Sequence, residues 1–359
     1  MIVIIPSNRW VQLDYLQPLI ESGARFLVVD DSEGSIRIDH PQFEVFNWSD
    51  RKKHLGKLDD GFPRRNGACR NFGFYLAWHR AEPNEIIIAL DDDCKIETPD
   101  FAQKVECVLT QPATIQVETN VLHWNILDCY ADIEDNVFPR GFPYSHRGLV
   151  TPSQFRTFHG KPAKFCLGLW QEVFDINAID KIQGPNYRYP NSKLKYPSVA
   201  VPPGTLISVC SMNMQFRSEL IPAVFQFPMN FEVMPGWVID RYGDIWGGFV
   251  LKTLMDRMGD GLVVGEPIIR HLKEGNFQRN MWQEHICHLV NDEFIHLLLE
   301  GAQQLQSWTY LSMLAELGEF WKSRTERASA LLKPYLRHLT YAIDCWVQAL
   351  DGACRKDGF

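Results

Sequence analysis

Glu85-Ile86-Ile87-Ile88-Ala89-Leu90-Asp91-Asp92-Asp93 is the stretch whose reading decides the fold. Residues 86–90 are apolar and rich in β-branched side chains, and Pro83-Asn84 bounds them upstream, which predicts a buried strand. Three consecutive carboxylates at the carboxyl end of such a strand cannot be buried unpaired. They need a cation, and hard oxygen donors of this kind suit Mg²⁺ or Mn²⁺. A buried strand ending in acids that hold a metal predicts a grip on a nucleotide diphosphate. The alternative is an acidic turn at the surface.

Upstream, residues 2–5 predict a first strand, closed by Pro6-Ser7-Asn8. Helical spacing of Leu13, Leu16, Leu19 and Ile20 predicts a helix over 11–22, and Gly23 ends it. Residues 25–29 predict a second strand ending in Asp30-Asp31, residues 43–46 a third, and residues 64–79 a helix packed on the sheet. Strand, helix, strand, strand, helix, strand is an α/β pattern of the Rossmann type, in which ligands bind beyond the strand tips. Asp30 and Asp31 then share a rim with the triplet, either bonding a base or ribose or capping a turn.

Downstream, residues 94–280 are rich in Pro, Gly and aromatic residues, with short strands expected over 114–117 and 206–209. Long loops of this kind shape binding sites or cover the core. From Met281 onward, 283–305, 309–320 and 327–350 carry apolar residues three and four apart, predicting a helical cap or an oligomer interface. The expected organisation is an α/β nucleotide-binding domain over 1–280 and a C-terminal helical region over 281–359.

Composition excludes several classes. With 359 residues, 45% of them hydrophobic, the chain can bury one large core or two smaller ones. A net charge of −8 gives no electrostatic case for nucleic acid or an anionic membrane. No stretch reaches the roughly 20 apolar residues of a membrane span. The apolar start lacks a basic n-region and a cleavage site, so it reads as a first strand and not as a signal peptide. Nine cysteines form no CxxC pair, which fits a reduced, cytoplasmic protein.

Three further clusters bear on the site. Arg241-Tyr242-Gly243-Asp244 precedes an expected helix over 249–258, so Asp244 either caps that helix or points into the cleft as a base. His271-Leu272-Lys273 follows the apolar run 262–269; alternation places both polar side chains on one face, His271 as a metal ligand and Lys273 meeting a phosphate, unless the turn is merely solvated. Arg140 and Arg147 lie in the turn-rich stretch 139–148, where planar donors can clamp a diphosphate or serve as surface charge.

These pieces, taken in order, resemble the reversibly glycosylated polypeptide family, whose plant members include UDP-arabinopyranose mutases. The resemblance runs through Gly67-Ala68-Cys69-Arg70-Asn71-Phe72-Gly73, Asp91-Asp92-Asp93-Cys94, Arg140-Gly141-Phe142-Pro143, Gly168-Leu169-Trp170 and Pro203-Gly204-Thr205-Leu206. It continues through Met212-Asn213, Arg241-Tyr242 with Asp244-Ile245-Trp246, His271 with Lys273, and Trp282-Gln283-Glu284. It implies a GT-A-type, glycosyltransferase-like fold with a mixed sheet, a divalent metal (Mn²⁺ or Mg²⁺) and a UDP-sugar. It also implies that the protein assembles as a homo- or hetero-oligomer. By position it puts Asp91, Asp92 and Asp93 on the Asp-x-Asp-like motif, with Arg70 beside the nucleotide. Arg140 falls on the arginine that becomes glycosylated, and Arg147 on a second family arginine. The implied activity is interconversion of UDP-arabinopyranose and UDP-arabinofuranose; transfer of the sugar to an acceptor, or a non-catalytic binding subunit, are the alternatives. As nucleophile, Arg140 would need a carboxylate to take its proton, Asp244 or Asp128. Two departures stand out. Gly243 replaces the first of two adjacent acids after Arg-Tyr, and Asp175-Ile176-Asn177 stands where plant members have Asp-Tyr-Asp.

Overall fold

Ile86–Leu90 is a strand with every residue buried, and the chain is built around it. The computed structural model describes residues 1–134, 136–149, 152–184, 187–273 and 275–352. Among these, fourteen strands follow in chain order: β1 (Ile2–Ser7), β2 (Arg25–Asp30), β3 (Phe43–Phe46), β4 (Ile86–Leu90), β5 (Cys94–Lys95), β6 (Ile115–Glu118), β7 (Gln154–Thr157), β8 (Ala163–Val173), β9 (Arg188–Tyr189), β10 (Ser198–Ala200), β11 (Asn213–Arg217), β12 (Phe231–Met234), β13 (Trp237–Ile239) and β14 (Gly261–His271). Twelve form one mixed sheet in the order β3-β2-β1-β4-β11-β8-β14-β10-β6-β7, with β5 against β14 and β9 against β8. The expected α/β fold, a mixed sheet flanked by helices, is the one observed.

The sheet places the site. β3, β2, β1 and β4 are parallel, so their carboxyl ends share one edge. Ile4 pairs with Ala89, which sets Ser7 and the residues after it beside the triplet. β11 runs antiparallel between β4 and β8, and β14 runs parallel to β8. Pairing of His271 with Cys94 then carries the end of β14 back to the same edge.

Several expected elements change shape. The helix over 11–22 splits into a 3-10 turn (Leu13–Leu16) and a short α-helix (Gln17–Glu21), because Pro18 enters in its first turn. The helix over 64–79 begins later, with the Asn66 side chain accepting the Ala68 amide and a 3-10 turn leading into Asn71–Arg80. Residues 206–209 are buried but are not a strand; only Leu206 makes a single bridge, to His123. Burial there comes from packing, which an apolar run cannot distinguish from strand pairing. The helix expected from 249 starts earlier, spanning Gly243–Met258.

The tail is helical, as its periodicity predicts: Phe277–Ala302, Tyr310–Arg324 and Leu332–Asp351. It packs directly on the rest of the chain. Trp246 stacks on Phe294 with ring centroids 4.7 Å apart, and Trp346 lies 5.5 Å from Phe225. The buried polar ends of these aromatics are satisfied as burial requires: the Trp346 indole donates to the Pro222 carbonyl and the Tyr335 hydroxyl to that of Pro228. Among the described residues, no helix is long and apolar enough to cross a membrane.

Candidate active site

The triplet sits at the carboxyl end of β4, and its three carboxylates are treated differently. Asp91 pairs with the buried Arg70. Asp92 accepts from Ser7 and, through both oxygens, from Arg9. The same Arg9 guanidinium reaches Asp93 at 2.8 Å. Burial first, and the neighbouring Asp91 charge second, push the Asp93 carboxyl above its ordinary range. A cation at Asp93 relieves both effects.

His271 is the neighbour equipped to help hold one. Its Nδ1 lies 2.8 Å from the Val173 carbonyl, which can only accept, so in the neutral ring Nδ1 carries the proton. Nε2, the remaining ring nitrogen, lies 3.8 Å from Asp93 Oδ1. Among the described residues no three His, Cys, Asp or Glu side chains converge as a complete metal cage. Two protein donors, with the rest of the shell from substrate phosphates and water, is the usual arrangement for Mg²⁺ at a diphosphate. The residues present fit such a cation.

A second charged cluster is built around Arg140, which is 7% exposed. Its Nε donates to Asp175 at 2.8 Å, its Nη2 to Asp244 at 2.9 Å, and its Nη1 to the Arg241 carbonyl. Burial opposes the charge, but Asp175 and Asp244 hold the guanidinium well above its ordinary pKa. Burial likewise opposes ionisation of Asp175, yet Arg140 pulls that carboxyl far below the usual range. Asp244 lies in the first turn of Gly243–Met258 and also accepts from the Ser211 amide at 3.2 Å. Its side chain thus faces the cluster. Asp128, the other carboxylate considered beside Arg140, accepts from the Ser153 hydroxyl.

The remaining candidates are placed as follows. Arg147 makes a two-pronged pair with Asp180, at 3.0 and 2.6 Å, and lies over the Tyr144 ring. Lys273 is exposed, two residues beyond His271. Asp30 is buried and accepts the Ser32 and Ile36 amides, closing the turn after β2. Asp31 accepts from the Trp48 indole at 2.7 Å and the Arg65 amide at 2.5 Å, and burial raises its carboxyl. Asp30 thus closes its own turn, while Asp31 ties the end of β2 to Trp48 and Arg65. Arg70 is 2% exposed, its nitrogens directed at Asp91 and the carbonyls of Ser211 and Gly67.

Arg9, Ser7 and Glu284 escaped the sequence reading as site residues. Arg9 and Ser7 follow from strand order alone: once β1 lies parallel beside β4, whatever follows Ile5 must meet the triplet. Glu284, fully buried, accepts from Arg241 at 2.8 Å and from the Ala178 amide at 2.8 Å. Its only signal was its place in the last quoted motif.

Both departures have local causes. A Cβ at Gly243 would lie 2.5 Å from the Phe227 carbonyl oxygen, so no side chain fits there. Asn177 accepts from the Gly141 amide and donates to Asp180 at 3.2 Å, which a carboxylate could not do.

The profile of the reversibly glycosylated polypeptide family matches residues 2–353, and the chain belongs to that family. Among curated proteins it is 25% identical to the probable UDP-arabinopyranose mutase 4 of Arabidopsis thaliana, over 97% of this chain and 90% of that one. It is 26% identical to UDP-arabinopyranose mutase 2 of the same plant, over 97% and 91%. UDP-arabinopyranose mutase 1 of Oryza sativa subsp. japonica is 25% identical, over 97% and 90%. Among solved structures, glucosyl-3-phosphoglycerate synthase from Mycobacterium tuberculosis, crystallised with Mn²⁺, UDP and phosphoglyceric acid, aligns over 82% of this chain and 78% of that one. Its TM-score is 0.37 and its identity 13%.

Proposed function

We propose that this chain is a metal-dependent UDP-sugar mutase that interconverts the pyranose and furanose forms of UDP-arabinose or a close UDP-pentose. The observation that carries this reading is the Nε2 of His271 held 3.8 Å from Asp93 on the edge that also carries Asp91 and Asp92. Asp93 and His271 would hold a Mn²⁺ or Mg²⁺ ion, with Asp92 fixed behind them by Arg9 and Ser7. Such an ion supplies positive charge against the negative charge that builds on a departing diphosphate. Lys273, exposed at the same edge, adds a second cation within the reach of a long side chain.

The sugar lies toward the Arg140 cluster. Arg140 stays protonated there, so its role is electrostatic and orienting; a glycosyl bond to it would first require one of its carboxylate contacts to open. Asp244 is the base. Isomerisation breaks the anomeric bond to UDP, closes a new ring through another hydroxyl and returns UDP to the same carbon. The proton released by the incoming hydroxyl goes to the oxygen that leaves the old ring, so one carboxylate can accept and return it. Nothing is gained or lost overall.

Incubation with Mn²⁺ and UDP-arabinopyranose, resolved by anion-exchange chromatography, tests this. A new UDP-furanose peak is expected, abolished by chelator and lowered at least about 100-fold in His271→Ala. Free UDP with a sugar bound to the protein, or with an extended acceptor, would replace the mutase with a transferase. UDP binding without turnover would leave a binding subunit.

A further inference from the structure

The triplet and the Arg140 cluster lie on different elements, and among the described residues Asp91 and Asp244 share no direct contact. A continuous hydrogen-bonded path nevertheless joins them. Arg70 donates one Nη to Asp91 and the other to the Ser211 carbonyl, at 2.7 Å. Ser211 returns its own amide to Asp244 at 3.2 Å, and Asp244 accepts from Arg140 at 2.9 Å. Arg140 closes the path on Asp175. All but Asp91 are less than about one-eighth exposed, so water competes poorly for these bonds.

The residue types suit a strut. A guanidinium is planar and fixed, so one Arg can hold a carboxylate and a carbonyl at set directions, which a lysine ammonium on a flexible stem cannot. Arg70 sits where the 3-10 turn Gly67–Arg70 hands over to the helix Asn71–Arg80, so its backbone is fixed as well. Ser211 lies two residues before β11, the strand that pairs with β4 along Asn213–Arg217. The link therefore spans from the strand that ends in the triplet to the helix that carries Asp244.

We infer that Arg70 is a positioning residue, which through the Ser211 peptide holds Asp91, the first carboxylate of the triplet, and the sugar-side pair Asp244–Arg140 in fixed relation. This rests on the mutase reading for what the two ends do, though the strut itself does not. Its contribution falls on the step in which the anomeric carbon moves between diphosphate and ring oxygen, because that step alone needs both ends at once. Loss of the strut thus lowers turnover more than it weakens substrate binding.

Two measurements test it. The first is a double-mutant cycle between Asp91→Asn and Asp244→Asn, read in the chemical unfolding of the ligand-free full chain. Residues with no contact and no shared partner are additive; a strut between these two makes the cycle depart by at least about threefold in the unfolding equilibrium constant. Additivity within about twofold overturns the link. The second is the kinetics of Arg70→Lys with UDP-arabinopyranose and Mn²⁺. A drop in kcat of at least about tenfold with KM changed less than about threefold is expected. Wild-type kcat in Arg70→Lys, or a loss confined to KM, overturns the positioning role. If that variant does not fold, the cycle decides alone. If the unsubstituted chain converts no UDP-pentose, the mutase reading fails while the unfolding cycle still decides the strut.

Discussion

The buried guanidinium groups of Arg51, Arg70 and Arg140 each meet a carboxylate, whereas among the described residues the buried Asp30 accepts only from neutral donors. Arg140, Arg70 and Glu284 are each nine-tenths buried or more and each is paired. His123 is different. It is 2% exposed, it packs among Phe142, His146 and Phe249, and its Nε2 has no hydrogen-bond partner among the described residues. Burial first, and the neighbouring His146 second, lower its pKa from 6.5 to about 3. The unfolded chain then binds a proton that the folded chain refuses. Stability from this group is complete above about 6.5 and is lost as pH falls toward about 3. The loss approaches about 1.4 kcal/mol per pH unit within that window. In His123→Phe, the fall in unfolding free energy between pH 6.5 and 4 is expected to be shallower than in the natural chain. Equal slopes would mean that the imidazole is already solvated.

At the level of elements, the Gly243–Met258 helix shows how a departure from family pattern becomes a packing requirement. Gly243 and Gly247 both turn bare backbone toward carbonyls, those of Phe227 and Phe225, each 2.5 Å from where a Cβ would stand. A backbone oxygen cannot rotate away as a side chain can. Gly243→Ala is therefore expected to cost about 1–3 kcal/mol in chemical unfolding, and to lower turnover further because Asp244 is the next residue. Unchanged stability would show that the helix start shifts freely. The same helix marks the limit of what was legible. β1 to β4 could be read because short β-branched runs between turn residues have few other fates. β8 and β14 are each eleven residues long; of β14 the run 262–269 stood out, while Lys164, Gly168, Gln171 and Glu172 break up the apolar residues of β8. The triplet, His271, Arg140 and Asp244 were visible as residues. Arg9 was not, because its partner is set by which strands lie side by side, and order in a sheet leaves no periodic trace.

For the whole molecule, the tail helices are part of what holds the site. Glu284, on Phe277–Ala302, pairs with Arg241, and the Arg241 carbonyl accepts from Arg140. Trp321, Trp346 and Tyr335 from the last two helices are completely buried, against Phe227, Phe225 and Trp246. Large aromatics contribute some of the largest single burial terms in a fold, and their removal leaves cavities that rigid neighbours do not fill. Trp346→Ala is expected to cost about 3–5 kcal/mol in chemical unfolding while the transition stays cooperative. Ending the chain at residue 280 removes Glu284 together with all three aromatics, and leaves Trp246, Phe225 and Phe227 facing water. That fragment is expected to show no cooperative transition by near-ultraviolet circular dichroism and no UDP binding by calorimetry. A fragment that unfolds cooperatively and binds UDP as the full chain does would instead make residues 281 onward an appended unit, and would break the proposed route by which Glu284 supports Arg140.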